Sequence, residues 1–138
     1  YESQGKYAQA EPLYVRALGI YERELGASHP DTASSLNNLA GLYESQGRYE
    51  EAEPLLQRAL TIREKALGSE HPATALSLWW LAVLAEQQRH NQEAKSLYER
   101  ALAIYERTLG IEHADTQRVQ DRYTALLREM KRNKGASS

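Results

Sequence analysis

The sequence predicts an all-α solenoid, and three observations carry that prediction. YESQGKYAQAEPLYVRALGI, starting at Tyr1, returns almost verbatim as YESQGRYEEAEPLLQRALTI at Tyr43, a period of 42 residues (43 − 1). At that offset 26 of 42 positions are identical between residues 1–42 and 43–84, and a looser third copy, AEQQRHNQEAKSLYERALAI, opens at Ala85. Self-similarity at a fixed period of this size marks stacked structural repeats. The alphabet is that of a helix former: Ala, Leu, Glu, Gln and Arg dominate, Val and Ile are sparse, and Phe is absent. Within each copy, apolar residues recur at three- and four-residue steps between glycines, the pattern of amphipathic helices joined by tight turns.

Taken in order, Tyr1–Gln4 should be the last turn of a helix, with Gly5 turning the chain because glycine accepts positive φ without penalty. The phase of the repeat implies an array that continues before Tyr1. From Tyr7 to Leu25 the apolar set Tyr7, Ala10, Leu13, Tyr14, Ala17, Leu18, Ile20 and Leu25 defines a helix, with Pro12 near its first turns giving a bend, not a break. Gly26 closes it. His29-Pro30-Asp31-Thr32 opens the next, with Pro30 at a favoured first position and Asp31 complementing the helix dipole. That helix runs to about Gln46 and buries Leu36, Leu39, Ala40, Leu42 and Tyr43, and Gly47 turns the chain again. The second copy repeats the scheme with a helix over Tyr49–Leu67, Gly68, then His71-Pro72 and a helix to about Gln88.

The third copy departs from the pattern. Arg89 stands at the glycine position, followed by His90-Asn91, so a wider turn is expected, with His90 or Asn91 in the strained conformation. A helix from about Gln92 to Leu109 ends at Gly110. The last helix starts near Ala114-Asp115 and continues to about residue 134, its basic end suiting the dipole, with 135–138 disordered. The domain expectation is one solenoid over 1–134, built of copies 1–42, 43–84 and 85–126 plus the C-terminal helix.

Composition excludes several function classes. A formal net charge of −2 and a pI near 6.1 speak against a nucleic-acid binder. No apolar run approaches the ~20 residues of a membrane span. Without cysteine there are neither disulfides nor thiolate metal sites. Nothing resembles a phosphate loop, a zinc-protease helix or a nucleophile elbow. The glutamates Glu50, Glu51 and Glu53 share one helix without a partnering base. His29, His71 and His113 recur once per repeat, too far apart for a shared metal, and suit helix starts. No catalytic residue, metal or cofactor is expected, and the expected location is cytoplasmic.

A short-turn glycine, a tyrosine four residues before it and alanines downstream resemble the tetratricopeptide repeat. In the second copy the matching residues are Leu36, Leu39, Ala40, Tyr43, Gly47, Tyr49, Ala52, Leu56 and Ala59. The usual repeat is about 34 residues. The longer period here, with LNNLA at Leu36–Ala40, YEEAEPLLQRAL at Tyr49–Leu60 and LGSEHP at Leu67–Pro72, is similar to the kinesin light chain-like and nephrocystin-like subclass. The resemblance covers essentially the whole chain. It implies a right-handed superhelix of antiparallel helix pairs whose first helices line a concave groove. Neighbouring pairs must stack, since one pair cannot bury its apolar faces alone.

On that resemblance the groove wall runs from polar, through aromatic, to basic. Asn37, Asn38, Gly41, Glu44 and Ser45 belong to the first wall; Leu76, Trp79, Trp80 and Val83 to the second; Arg118, Asp121, Arg122 and Arg128 to the third. Trp79-Trp80 replace Asn37-Asn38 of the preceding copy. Adjacent helical residues are ~100° apart, so both cannot sit in one core, and at least one is expected in the groove. The competing expectation places one tryptophan in the inter-repeat core. For the arginines it is a solvated face with Asp121 and Glu129 as local partners. The carboxylate clamp of some tetratricopeptide domains is incomplete, because Asn37, Gly41 and Trp80 stand where it needs lysine or asparagine. The expected function is a non-catalytic protein-interaction module that takes an extended peptide or partner protein, with an apolar anchor and nearby acidic residues. The alternative is self-assembly into a homo-oligomer through uncovered faces of the end repeats.

Overall fold

The computed structural model describes residues 2–26 and 28–136, with side chains considered from residue 9 to residue 134. The described chain is helical throughout: α1 (Glu2–Glu24), α2 (Pro30–Ser45), α3 (Tyr49–Leu67), α4 (Pro72–Gln87), α5 (Asn91–Thr108) and α6 (Ala114–Ala136). They group into two compact units, Tyr1–Ser69 and Glu70–Ser138. In the first unit α2 packs against α1 and α3; in the second, α5 packs against α4 and α6.

Helix starts are set by histidine. The Nδ1 atoms of His29, His71 and His113 accept the backbone N–H two residues on, from Asp31 (3.0 Å), Ala73 (3.0 Å) and Asp115 (3.1 Å). Each answers a donor that the first helical turn cannot pair internally. A proline follows His29 and His71 at the first helical position, where its missing N–H costs nothing. The capping role expected for the three histidines is therefore what each performs.

Helix ends are set by glycine, with one exception. Gly26, Gly47, Gly68 and Gly110 all adopt positive φ, and so does Arg89 (φ 65°). The turn at Arg89 is not wider. His90 N–H donates to Ala85 O (2.8 Å) and Arg89 N–H to Glu86 O (3.0 Å), the same bonds that Arg48 makes to Tyr43 O (2.8 Å) and Gly47 to Glu44 O (2.9 Å). Arg89 itself takes the left-handed conformation; His90 (φ −88°) and Asn91, the first residue of α5, do not. The hydrogen bonds that close the turn demand positive φ at that one position, whichever residue occupies it.

Two further expectations are corrected. Gly5 does not turn the chain: α1 runs unbroken from Glu2 to Glu24. The backbone bonds of α1 continue through Gly5, which a helix tolerates at small cost. Tyr1 and the side chain of Tyr7 lie outside the described residues. At the other end α6 continues to Ala136, through Gly135, since each added residue gains a backbone bond and no proline intervenes; residues 137–138 lie outside the described ones. Pro12 and Pro54 sit inside α1 and α3 on exposed sides without ending either helix. The carbonyl each leaves unpaired can turn to water.

The core of the first unit is Leu18, Ala33, Leu36, Leu39, Leu42, Ala59 and Ile62, edged by Ala10, Tyr43 and Leu55. Alanine at Ala33, Ala40, Ala52 and Ala59 is wholly buried and lets helix backbones approach closely. The second unit repeats this with Ala75, Ala82, Ala94 and Ala101 around Leu78, Leu84, Tyr98 and Leu126.

Candidate functional site

The α4 helix is apolar on two sides. Thr74, Ala75, Ser77, Leu78, Leu81, Ala82, Leu84 and Ala85 are buried. Leu76, Trp79, Trp80 and Val83 follow at i, i+3, i+4 and i+7, which puts them on one stripe, and all four are only partly buried. At ~100° per residue the tryptophans flank the stripe and Leu76 and Val83 run up its centre. The indole Nε1 of Trp79 is shielded from solvent and has no hydrogen-bond partner among the described residues. A buried indole donor is usually paired.

The equivalent stripe on α2, Ser34, Asn37, Asn38 and Gly41, is small and polar. Asn38 is exposed and Gly41 half-buried, whereas Asn37 is buried, with its Oδ1 unpaired among the described residues. Arg63, a buried arginine on α3, donates to Ser34 Oγ (3.3 Å) and reaches the edge of this stripe. Glu44 is half-buried at its end and Ser45 turns back to bond Gly41 O (3.0 Å). All four stripe positions change together between α2 and α4, from Ser-Asn-Asn-Gly to Leu-Trp-Trp-Val.

On α6, Arg118, Asp121, Arg122 and Arg128 are exposed. Arg118 pairs with Asp115 one turn earlier (3.5 Å), a solvated contact worth little to stability. Arg122 is different. It acts on the hydroxyl of Tyr98, a wholly buried residue of α5 that donates to Glu86 Oε1 near the end of α4 (2.8 Å). Burial and then the Glu86 carboxylate push the Tyr98 hydroxyl above its ordinary pKa, while Arg122 pulls the other way. This cluster ties α4, α5 and α6 of the second unit together. Sequence reasoning singled out Arg122 and missed Tyr98 and Glu86; the only signal was tyrosine at a position held by Leu56 one copy earlier.

A second polar cluster also escaped the sequence. In the first unit Glu11 of α1 accepts from Arg48 Nη1 (2.8 Å) and from the Tyr43 hydroxyl (3.3 Å). Arg48 also bonds Glu51 (2.9 Å) and lies 4.2 Å from the centre of the Tyr43 ring. Its hydrogen bonds hold the Glu51 carboxyl below the usual range, and burial with Glu11 raises the Tyr43 hydroxyl. The same network braces the α2–α3 turn against α1. Among the described residues no group of histidines and carboxylates is placed to hold a metal ion, and no helix is long and apolar enough to cross a membrane.

The tetratricopeptide repeat family model matches residues 1–65 and 36–107. No curated protein matches the chain. Two solved structures of a Podosopora anserina protein described as a kinesin light chain with nearly identical TPR-like repeats, one of them a variant, are each 31% identical with a TM-score of 0.81. Both alignments cover 91% of this chain, and 59% and 60% of those chains. BtubC (BKLC) from P. vanneervenii is 25% identical with a TM-score of 0.82, covering 90% of this chain and 50% of that one. The chain thus spans half to three-fifths of these relatives' lengths. Tetratricopeptide repeats form non-enzymatic scaffolds that mediate protein–protein interaction. The repeat matched by the family model and the fold shared with kinesin light chain-like structures agree, and this chain belongs to the tetratricopeptide repeat family in its kinesin light chain-like form.

Proposed function

We propose that the chain binds an extended peptide, or an extended segment of a partner protein, through the α4 stripe of Leu76, Trp79, Trp80 and Val83. The supporting observation is the concerted change of that stripe to large apolar residues that stay partly open, with a shielded Trp79 N–H still lacking an acceptor. A peptide carbonyl would supply the acceptor and an apolar side chain would cover the rings. Aromatic residues of this kind dominate binding energy where they become desolvated. Arg118 and Arg122, exposed on α6 beside Asp121, would steer acidic residues flanking the apolar anchor.

The test is titration with peptides carrying one bulky apolar residue between acidic ones, followed by tryptophan fluorescence. Acrylamide should quench at least one tryptophan of the free protein, and bound peptide should protect it. Trp80→Ala should weaken binding about thirtyfold, the scale of a hot-spot residue. If neither tryptophan is reached by the quencher, or Trp80→Ala and Trp79→Phe leave affinity unchanged, the reading is wrong.

Self-assembly is favoured by a separate observation. The α1 helix exposes Leu13 (66%), Val15 (47%), Ile20 (43%), Tyr21 (40%) and Tyr14 (38%), with Leu25 (42%) just beyond its end, an apolar surface of the sort that recruits a partner. Sedimentation across a concentration series decides it: a monomer at every concentration removes this reading, and Leu13→Glu should dissociate any oligomer that forms.

A further inference from the structure

A cavity of about 640 Å³ lies in the second unit between the start of α5 and the end of α6, lined by Arg89, Lys95, Lys131 and Lys134 with Leu127 and Met130. None of the residues assigned above to peptide binding lines it. Four cations converge in a chain of net charge −2, and no aspartate or glutamate lines the cavity among the described residues. Clustered like charges repel one another. Arg89, Lys131 and Lys134 sit near the C-terminal ends of α4 and α6, where the dipole favours a cation, but Lys95, in the second turn of α5, gains nothing from its own helix.

The repeat shows which chemistry is missing. Two periods earlier (84 = 2 × 42), the same junction between α1 and α2 is occupied by the protein's own carboxylate, Glu11, which takes Arg48 and Tyr43 as donors. Shifting by one period gives Glu53, and by two gives Lys95. Tyr43 becomes Leu127, Gln46 becomes Met130, and Gly5 within α1 and the turn glycine Gly47 become Arg89 and Lys131. A junction that carries its own anion in the first unit has become a cationic cavity with an apolar floor in the second.

We propose that this cavity is a second docking site, which binds glutamate or aspartate side chains flanking an aliphatic residue on a partner protein. The carboxylates pair with Lys95, which stands at the position Glu11 holds in the first unit, and with Lys131 and Arg89. The aliphatic residue rests on Leu127 and Met130.

The experiment is a calorimetric titration of the full chain with the capped peptide Glu-Glu-Leu-Glu-Glu, mapped by amide chemical shifts. Shifts should centre on 89–95 and 127–134, and affinity should fall as salt rises. Lys95→Glu restores the residue type of the two earlier copies, so it should keep or raise the melting temperature while weakening binding at least tenfold. Lys131→Gln should weaken it several-fold, and both changes should act on the shifts at 89–95 and 127–134, not on any at Leu76–Val83, where the α4 stripe takes its own peptide. The proposal is overturned if Lys95→Glu binds the peptide as wild type does, or if the shifts map elsewhere. It is equally overturned if inorganic triphosphate binds as tightly as the peptide, which would mark a small-anion site.

Discussion

Replacing Arg89 by glycine should stabilise the protein, and replacing Gly47 by arginine should destabilise it. Both residues close the same turn with the same backbone bonds and at similar φ, 65° for Arg89 and 76° for Gly47. A side chain in the left-handed region costs about 1–2 kcal/mol. Glycine in turn loses more backbone freedom on folding, which offsets about 0.4–1 kcal/mol. The difference is a gain of about 0.5–1 kcal/mol for Arg89→Gly and a loss of the same size for Gly47→Arg. No atom lies within 4 Å of a Cβ built at Gly47, so the loss there carries no added clash. Arg89 is exposed, and its side chain contributes little burial. Thermal unfolding followed by far-UV circular dichroism reads both changes, with a rise of about 2–4 °C in melting temperature for Arg89→Gly. The reasoning is refuted if Arg89→Gly is neutral or destabilising while Gly47→Arg behaves as expected. Arg89 would then be held by contacts that outweigh its backbone strain.

Other outcomes follow from the caps, the buried tyrosine and the core. His71→Ala should cost about 1 kcal/mol by orphaning the Ala73 N–H, and His71→Asn, which can also accept that bond, should recover most of it in the same unfolding assay. The Tyr98 hydroxyl is raised above its ordinary 10.0 by burial and by Glu86, so the folded state favours its protonated form. That contribution is complete below about pH 10 and is lost as pH climbs toward the folded value. Melting temperature should therefore drop more steeply above pH 10 in wild type than in Tyr98→Phe, which itself costs about 1 kcal/mol at neutral pH through the lost bond to Glu86. Leu36→Ala and Leu78→Ala, both at fully buried positions, should each cost about 2–5 kcal/mol by chemical denaturation, whereas Leu13→Ala, mostly exposed, should cost far less.

Much of this architecture is legible in the sequence because it depends on neighbours a few residues away. Tyr49–Leu67 is read to its ends from spacing alone, and the histidine caps and the turns at Gly26, Gly47, Gly68 and Gly110 follow from local chemistry. At Arg89 local chemistry misleads. Arg89, less suited by type to positive φ than His90 or Asn91 beside it, still adopts it, because the flanking helices fix where the turn must close. The polar clusters were illegible for a different reason. Glu11 and Arg48 are separated by 37 positions, and Tyr98 and Glu86 by 12. No periodicity announces which charged residue of one helix will meet which of another. For the candidate stripe the reverse holds: Trp79 and Trp80 stand out in sequence as a failure of copying, yet their partial exposure, and the burial of Asn37 beside an open Asn38, belong to the packed helices.

By itself, then, the sequence determined six helices, their turns and the family they build, since a repeated pattern of apolar spacing and glycine specifies local hydrogen bonding wherever it occurs. The tertiary structure decided what each face meets. The copied segments around Ile20 and Ile62 make the same helix, but Ile62 is buried in α3 while Ile20 on α1 remains 43% exposed. Helix formation is a property of the residues along one segment. Burial is a property of whatever packs against it, and a near-verbatim repeat cannot encode that difference within its own letters.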